Sequence, residues 1–272
     1  MTVLLLNCQK TSHANFPTAN WRIITIGPST AANLYSLGLS DNIVAVSEWC
    51  SVPQFDELPR IGALGSPSLE RIAELQPNVV LVQGRQDQLE QYCLQNQVFF
   101  HSFNTDTIQG WREEMSWLGS TFGLQQSAES IVDDFEEQLS QLNPGSKKAT
   151  ALLVLSRRAG AVSDLLVAAQ GSFLSELLES VGGINVIRDQ QDYIYLQEEL
   201  LLELNPDLIL ELQQPNLNED ILKVWRNNFA TVNAVRDGAV VNIFTPQSLM
   251  PGPEMLRTAQ DISKLIQQMP VQ

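Results

Sequence analysis

The side chains best equipped for reaction chemistry are scarce in this sequence, and their spacing does not suit it. The two histidines, His13 and His101, stand far apart, and the three cysteines, Cys8, Cys50 and Cys93, share no short spacing. Bare-metal binding and a structural zinc site are therefore poor fits, and no metal-ligand set is expected. No Ser-His-Asp arrangement, phosphate-cradling glycine loop or metalloprotease helix is present. Gly182-Gly183 lacks the rest of a dinucleotide fingerprint and reads as a helix stop. Cys50 is open to three readings: a buried thiol, a ligand contact, or a disulfide partner for Cys93.

What remains suits recognition. Trp49 stands in a polar loop, Ser47 to Pro53, where a large ring either meets a flat ligand or packs beneath its own loop. Arg85, Arg157 and Arg158 stand out among only 16 basic residues. A guanidinium at a strand end can pair with a ligand oxyanion, or it can simply be solvated. Adjacent Arg157 and Arg158 point in two directions, so at most one of them reaches a ligand. Tyr193 and Tyr195 alternate along an extended stretch and share a face, either a binding face or the core. Phe173 opens a helix, where core packing is at least as natural a reading as ligand contact.

These residues need elements to position them, and the clearest elements come twice. Leu69 to Val82 aligns without a gap on Glu198 to Glu211, 129 residues later. In each copy a glutamate (Glu70, Glu199) opens a helical turn. An Asn or Gln then precedes a proline that cannot continue the helix, and an apolar run suited to a buried strand follows. Two copies predict two similar lobes with a cleft between them, where small molecules are usually held. Strands and helices alternate on either side of Leu124 to Leu142, whose apolar residues Ile131, Phe135, Leu139 and Leu142 recur three or four apart. The expected fold class is α/β: two lobes with mostly parallel sheets, joined by one long rigid helix, with the ligand groove between them. The expected boundaries are a tail over 1–20, a first lobe over 21–123, the linking helix over 124–143 and a second lobe over 147–272.

In open α/β sheets the binding loops lie beyond the carboxyl ends of the strands. On the first lobe that rule selects Pro28-Ser29-Thr30, Glu48-Trp49, the run Gln83-Gly84-Arg85-Gln86 and the segment after Phe100. On the second it selects Ser156-Arg157-Arg158, Gln170 to Phe173, Glu211 to Gln213 and the segment from Thr245 onwards, with Tyr193 and Tyr195 as further candidates.

Bulk properties narrow the function class. Hydrophobic content of 44% and charged content of 17% describe an ordinary folded chain of 272 residues. A net charge of −15 argues against nucleic acid and anionic membrane surfaces as partners. No apolar run is long enough to span a bilayer. The start, Met1 to Lys10, reads either as the end of a lipoprotein signal, with Cys8 as the lipidated residue, or as a short tail with an ordinary cysteine. On the first reading the complete signal peptide lies upstream of Met1.

The ordered set of motifs resembles a known family. Arg22-Ile23-Ile24-Thr25-Ile26-Gly27-Pro28-Ser29, Leu58-Pro59-Arg60-Ile61-Gly62 and Gly65-Ser66-Pro67-Ser68-Leu69-Glu70 resemble the first lobe of substrate-binding proteins of iron–siderophore and vitamin B12 ABC importers. Gly171-Ser172-Phe173-Leu174, Gly182-Gly183-Ile184-Asn185, Asn205-Pro206-Asp207 and Pro251-Gly252-Pro253-Glu254 resemble the second. The resemblance implies a monomer outside the cytoplasm, periplasmic or lipid-anchored, that captures a corrinoid or ferric siderophore and performs no catalysis. It needs no cofactor, because the ligand itself carries iron or cobalt. Glu70 and Glu199 would dock on arginines of the transporter permease. Without that resemblance each glutamate is a helix-opening carboxylate stabilised by free N–H groups. The stiff linking helix predicts small lobe movements. Low aromatic content (7%) leans toward a neutral corrinoid. The competing expectation is an intracellular enzyme or cofactor-handling protein on the same scaffold; a sensory module would need a fused output domain.

Overall fold

The computed structural model describes residues 20–142, 148–214 and 219–269. Cys8 and the expected helix stop at 143–146 lie outside the described residues.

The first lobe opens with β1 (Ile23–Ile26), four residues buried without exception, as a parallel strand covered on both faces requires. It turns at Gly27 into α1 (Pro28–Ser36), where proline occupies the first helical turn. Next come β2 (Ile43–Val46), the two-residue pair β3 (Gly62–Ala63) and β4 (Ser66–Pro67), and then α2 (Leu69–Leu75). The Ser68 hydroxyl caps α2 by accepting from Arg71 N at 3.3 Å. After α2 run β5 (Val79–Gln83), α3 (Asp87–Gln95) and β6 (Phe99–Phe103). The sheet is wholly parallel, in the order β2-β1-β5-β6.

Two helices, α4 (Ile108–Phe122) and α5 (Gln125–Gln141), carry the chain to the second sheet and pack on one another. The periodicity places α5 where it lies; α4 is not among the elements the sequence pattern singles out. Yet its buried residues Ile108, Trp111, Met115 and Leu118 recur three or four apart.

The second lobe runs through β7 (Ala149–Ser156), β8 (Leu165–Ala168), α6 (Phe173–Ser180), β9 (Gly183–Asn185), β10 (Tyr193–Leu196) and α7 (Leu201–Leu204). It ends with β11 (Leu208–Glu211), α8 (Ile221–Phe229), α9 (Asn233–Arg236), β12 (Val240–Asn242) and α10 (Met255–Gln268). Its sheet has the order β10-β8-β7-β11-β12, with β9 beside β7. β9, β11 and β12 run parallel to β7, while β8 pairs antiparallel with both β7 and β10. The mixed α/β class and two lobes agree with the expectation.

Strand alternation sorts side chains between cores. Ile23 of β1 joins Trp111, Phe135, Leu153 and Ile262 in one core shared by both lobes. Ile24, Ile72, Val80 and Leu89 form a core beneath the first sheet alone, and Leu152, Leu201 and Trp225 one beneath the second. Burying each such side chain contributes roughly 1.5–3 kcal/mol. The shared core means that separating the lobes exposes apolar surface.

Candidate functional site

The carboxyl ends of the parallel strands in the two sheets meet. Just beyond β1, the Ser29 hydroxyl donates to Pro251 O in the segment that follows β12. Beyond β2, Gln247 Nε2 donates to Ser51 O at 3.3 Å and Ser51 Oγ to Pro246 O at 3.4 Å. Beyond β6, Phe173 N donates to Asp106 O at 2.6 Å, and Ile108 N to a Glu176 carboxylate oxygen at 2.6 Å. Each bond crosses from one lobe to the other, so the loops selected by the strand-end rule confront one another.

On the first rim Trp49 is 72% exposed, which favours a ring free for a ligand over one packed beneath its loop. Gly84 is exposed, with φ of +77° that favours glycine, and its N–H donates to Phe103 O at 2.8 Å, tying the end of β5 to β6. Arg85 is exposed and pairs with Asp87 at 2.5 Å. Gln86 reaches back to Leu64 O at 2.6 Å. These three hold the rim in shape.

On the second rim Tyr195 is 76% exposed. Its partner across β8 is Leu166, which in turn faces Ser156 at the exposed end of β7, so Tyr195 stands level with the carboxyl end of that strand. Tyr193, two residues earlier, does not share its environment. It packs on the shared core, and burial, then the charges of Asp106 and Asp192, raises its hydroxyl well above the usual range. The expectation that both tyrosines go the same way is corrected, because β10 edges the sheet and only part of one face is covered.

Three other expected ligand contacts are turned inward. Ser29 is buried in the seam between the lobes. Phe173 is 1% exposed and belongs to the core. The Arg157 side chain is 1% exposed: its Nε donates to Glu211 at 2.5 Å and its Nη2 to Glu219. Trp225 Nε1 donates to the same Glu211 oxygen at 2.7 Å, and Gly160 N to Glu219 at 2.7 Å. Arg157 thus anchors the loop after β7 and leaves Arg158 outside, paired with Asp164 at 2.8 Å. The signal for this buried network was Glu211 itself, a carboxylate closing an otherwise apolar strand.

Both described cysteines, Cys50 and Cys93, are buried and free, which corrects the disulfide reading. Burial raises both thiols, Cys93 to about 11. His101 stacks on Trp117 at 4.1 Å between centroids, and burial lowers it from its ordinary value. Among the described residues no three His, Cys, Asp or Glu side chains are grouped to hold a metal ion. Glu70 and Glu199 are exposed, each at the start of its copy of the repeated element.

A family model described as periplasmic binding protein matches residues 23–244. The high-affinity heme uptake system protein IsdE of Staphylococcus aureus is 26% identical over 236 residues, spanning 84% of this chain and 78% of that protein. Among solved structures, the periplasmic heme binding protein HutB of Vibrio cholerae superposes with a TM-score of 0.79 at 21% identity, over 90% of this chain and 98% of HutB. The periplasmic vitamin B12 binding protein BtuF of Vibrio cholerae does so with 0.76 at 22% identity, over 91% and 98%. At these identities the structural likeness is one of fold.

Proposed function

The chain belongs to the periplasmic binding protein family, as a substrate-binding component of the ABC-importer kind, and on that premise we propose that it captures a metal-containing macrocycle of the corrinoid or heme type. The observation that carries this is one large aromatic side chain left exposed on each rim, Trp49 and Tyr195. Flat rings are what a flat macrocycle can lie against with the least loss of side-chain freedom. The names of the relatives support the same class, because IsdE and HutB are heme proteins and BtuF binds vitamin B12.

Within that class the narrower proposal is a corrinoid, whose cobalt arrives with its own axial ligands. A heme iron needs an axial donor from the protein. Among the described rim residues, His101 is stacked under Trp117 and Cys50 is buried, whereas the exposed Tyr195 hydroxyl could serve as the donor to a heme.

Titrating cyanocobalamin, hemin and ferric siderophores separately against tryptophan fluorescence tests the proposal. Cyanocobalamin should quench, and Trp49→Ala should weaken binding about tenfold, equivalent to about 1.4 kcal/mol. Tyr195→Phe should leave cyanocobalamin affinity within twofold; if hemin is the ligand, the same change should shift its Soret band. No response to any of them from folded protein would overturn the proposal.

Family members work outside the cytoplasm, and among the described residues no helix is long and apolar enough to cross a membrane. A lipid anchor on Cys8 belongs to the same proposal, as does docking on the permease through Glu70 and Glu199. Neither glutamate has a charged or hydrogen-bonding side-chain partner among the described residues, and a basic partner would supply one. Reversing both charges should abolish uptake and leave ligand affinity unchanged; loss of affinity would place them in the groove. The core shared by both lobes supports small lobe movements on binding, and a large closure seen by solution scattering would contradict that.

A further inference from the structure

Behind the seam lies a carboxyl group that ligand capture does not use. Glu114 of α4 is 1% exposed, and neither of its oxygens has a hydrogen-bond partner. Facing it from α1 are Thr30 and Asn33, both fully buried, whose hydroxyl and Nδ2 stand near the carboxyl without forming a hydrogen bond of good geometry to it. The other end of the Asn33 amide is engaged: its Oδ1 accepts from Trp111 Nε1 of α4 at 3.0 Å. That same oxygen lies against Gly252 of the second lobe, where a Cβ would stand only 3.4 Å away. One turn of helix thus has Glu114 behind it and the opposite lobe in front, with Ser29 bonded to Pro251 at its start.

A buried carboxylate with only a hydroxyl and an amide loosely placed beside it is costly in its charged form, more so than a neutral acid in the same place. Among the described residues, the side chains that act on the Glu114 carboxyl are Thr30 and Asn33, and no charged group is among them. Tyr35 of α1 is turned to Phe55, Arg112 of α4 pairs with Glu136 of α5 at 2.5 Å, Glu176 of α6 accepts from Ile108 N, and His101 of β6 stacks on Trp117. The remaining carboxylates of α5 lie on its exposed face, and Glu254 beyond Gly252 is exposed.

We propose that Glu114 is a proton-binding latch between the lobes: while it is neutral, α1 stays seated on α4 and its Ser29 and Asn33 hold Pro251 and Gly252, and its ionisation loosens that seat. The inference stands apart from the identity of the ligand. Burial pushes the carboxyl up to about 7, against the smaller opposing effect of Thr30 and Asn33. The folded value lies above the ordinary one of about 4.3, so the stabilisation is fully present below about pH 4.3. It is lost as pH rises to about 7.

The test uses the full chain labelled with 13C at glutamate carboxyls, compared with Glu114→Gln, and amide hydrogen exchange at Asn33 and Gly252. One glutamate resonance should titrate near neutral pH in the wild type and be absent from the variant. Protection at Asn33 and Gly252, corrected for intrinsic rates, should fall about tenfold from pH 6 to 8 in the wild type and stay level in Glu114→Gln. No neutral-range glutamate resonance, or equal pH dependence in both proteins, overturns the latch. Should Glu114→Gln not fold, the wild type decides alone: the carboxyl and exchange midpoints must coincide, and separate midpoints overturn it.

Discussion

The two copies of the helix-stop-strand element agree closely in backbone and part at one buried side chain. α2 ends at Gln76 with φ 46° and ψ 56°, and α7 ends at Asn205 with φ 40° and ψ 59°. A buried proline follows each, then a buried strand. Even the entry to the strand is repeated: Asn78 accepts from Arg22 N at 2.9 Å, and Asp207 from Thr150 N at 3.2 Å, each just before its ladder begins. At the far end, however, the fourth residue of the strand is Val82 in one copy and Glu211 in the other, both essentially unexposed. The first copy closes an apolar core. The second buries a carboxylate that fixes Arg157 and, through it, the loop that forms the second rim. A duplicated scaffold has been given different rims by changing what sits at the strand end.

The sharpest way to break this comparison is to make the second copy resemble the first. Glu211→Val leaves the Arg157 charge buried with only Glu219 beside it, and should cost roughly 3–5 kcal/mol in urea unfolding. Adding Arg157→Met should restore most of that loss; a single variant costing less than about 1 kcal/mol would show that the network carries no stability. Next in size, Ile72→Ala and Leu201→Ala occupy matching positions with 0% exposure. Each should lose roughly 2–5 kcal/mol, and widely different losses would mean that the two short helices are seated differently.

A smaller pair separates the two stops. Gln76 is held left-handed without help from its own side chain, while Arg22 braces the carbonyls of Leu75 and Gln76 from outside. Gln76→Gly should therefore stabilise by about 1 kcal/mol. Asn205 tolerates that backbone, and its Oδ1 accepts from Asn233 N at 2.8 Å, so Asn205→Gly should destabilise by about 1 kcal/mol instead. Thermal melts reading the same sign for both would end the distinction. Smallest of all, Glu70→Lys and Glu199→Lys should each change stability by no more than about 0.5 kcal/mol, since neither is buried or paired.

Much of the fold was legible because its signals are local. Pro77 and Pro206 stop helices wherever they stand, and the apolar runs after them are long enough for strands and too short for helices. Helix α4 was harder to see, since its polar residues break the pattern unless its faces are already known. The site was legible only as a set of loops. Trp49, Arg85, Ser156 and Arg158 lie on the rims, but Ser29, Arg157, Phe173 and Tyr193 do not present themselves there. An arginine at a strand end reads the same whether it points to solvent or to a glutamate 54 residues onward.

Composition and spacing alone therefore pointed to two α/β halves that share one repeated element, because helix stops and strand runs act over a few neighbouring residues. Which side chains face the groove, which charges are neutralised inside, and the confinement of Glu114 behind the lobe seam were decided by packing. Burial belongs to no residue by itself: it is set by partners from distant parts of the chain, and it is burial that turns Arg157 into an anchor and pushes the Glu114 carboxyl upward.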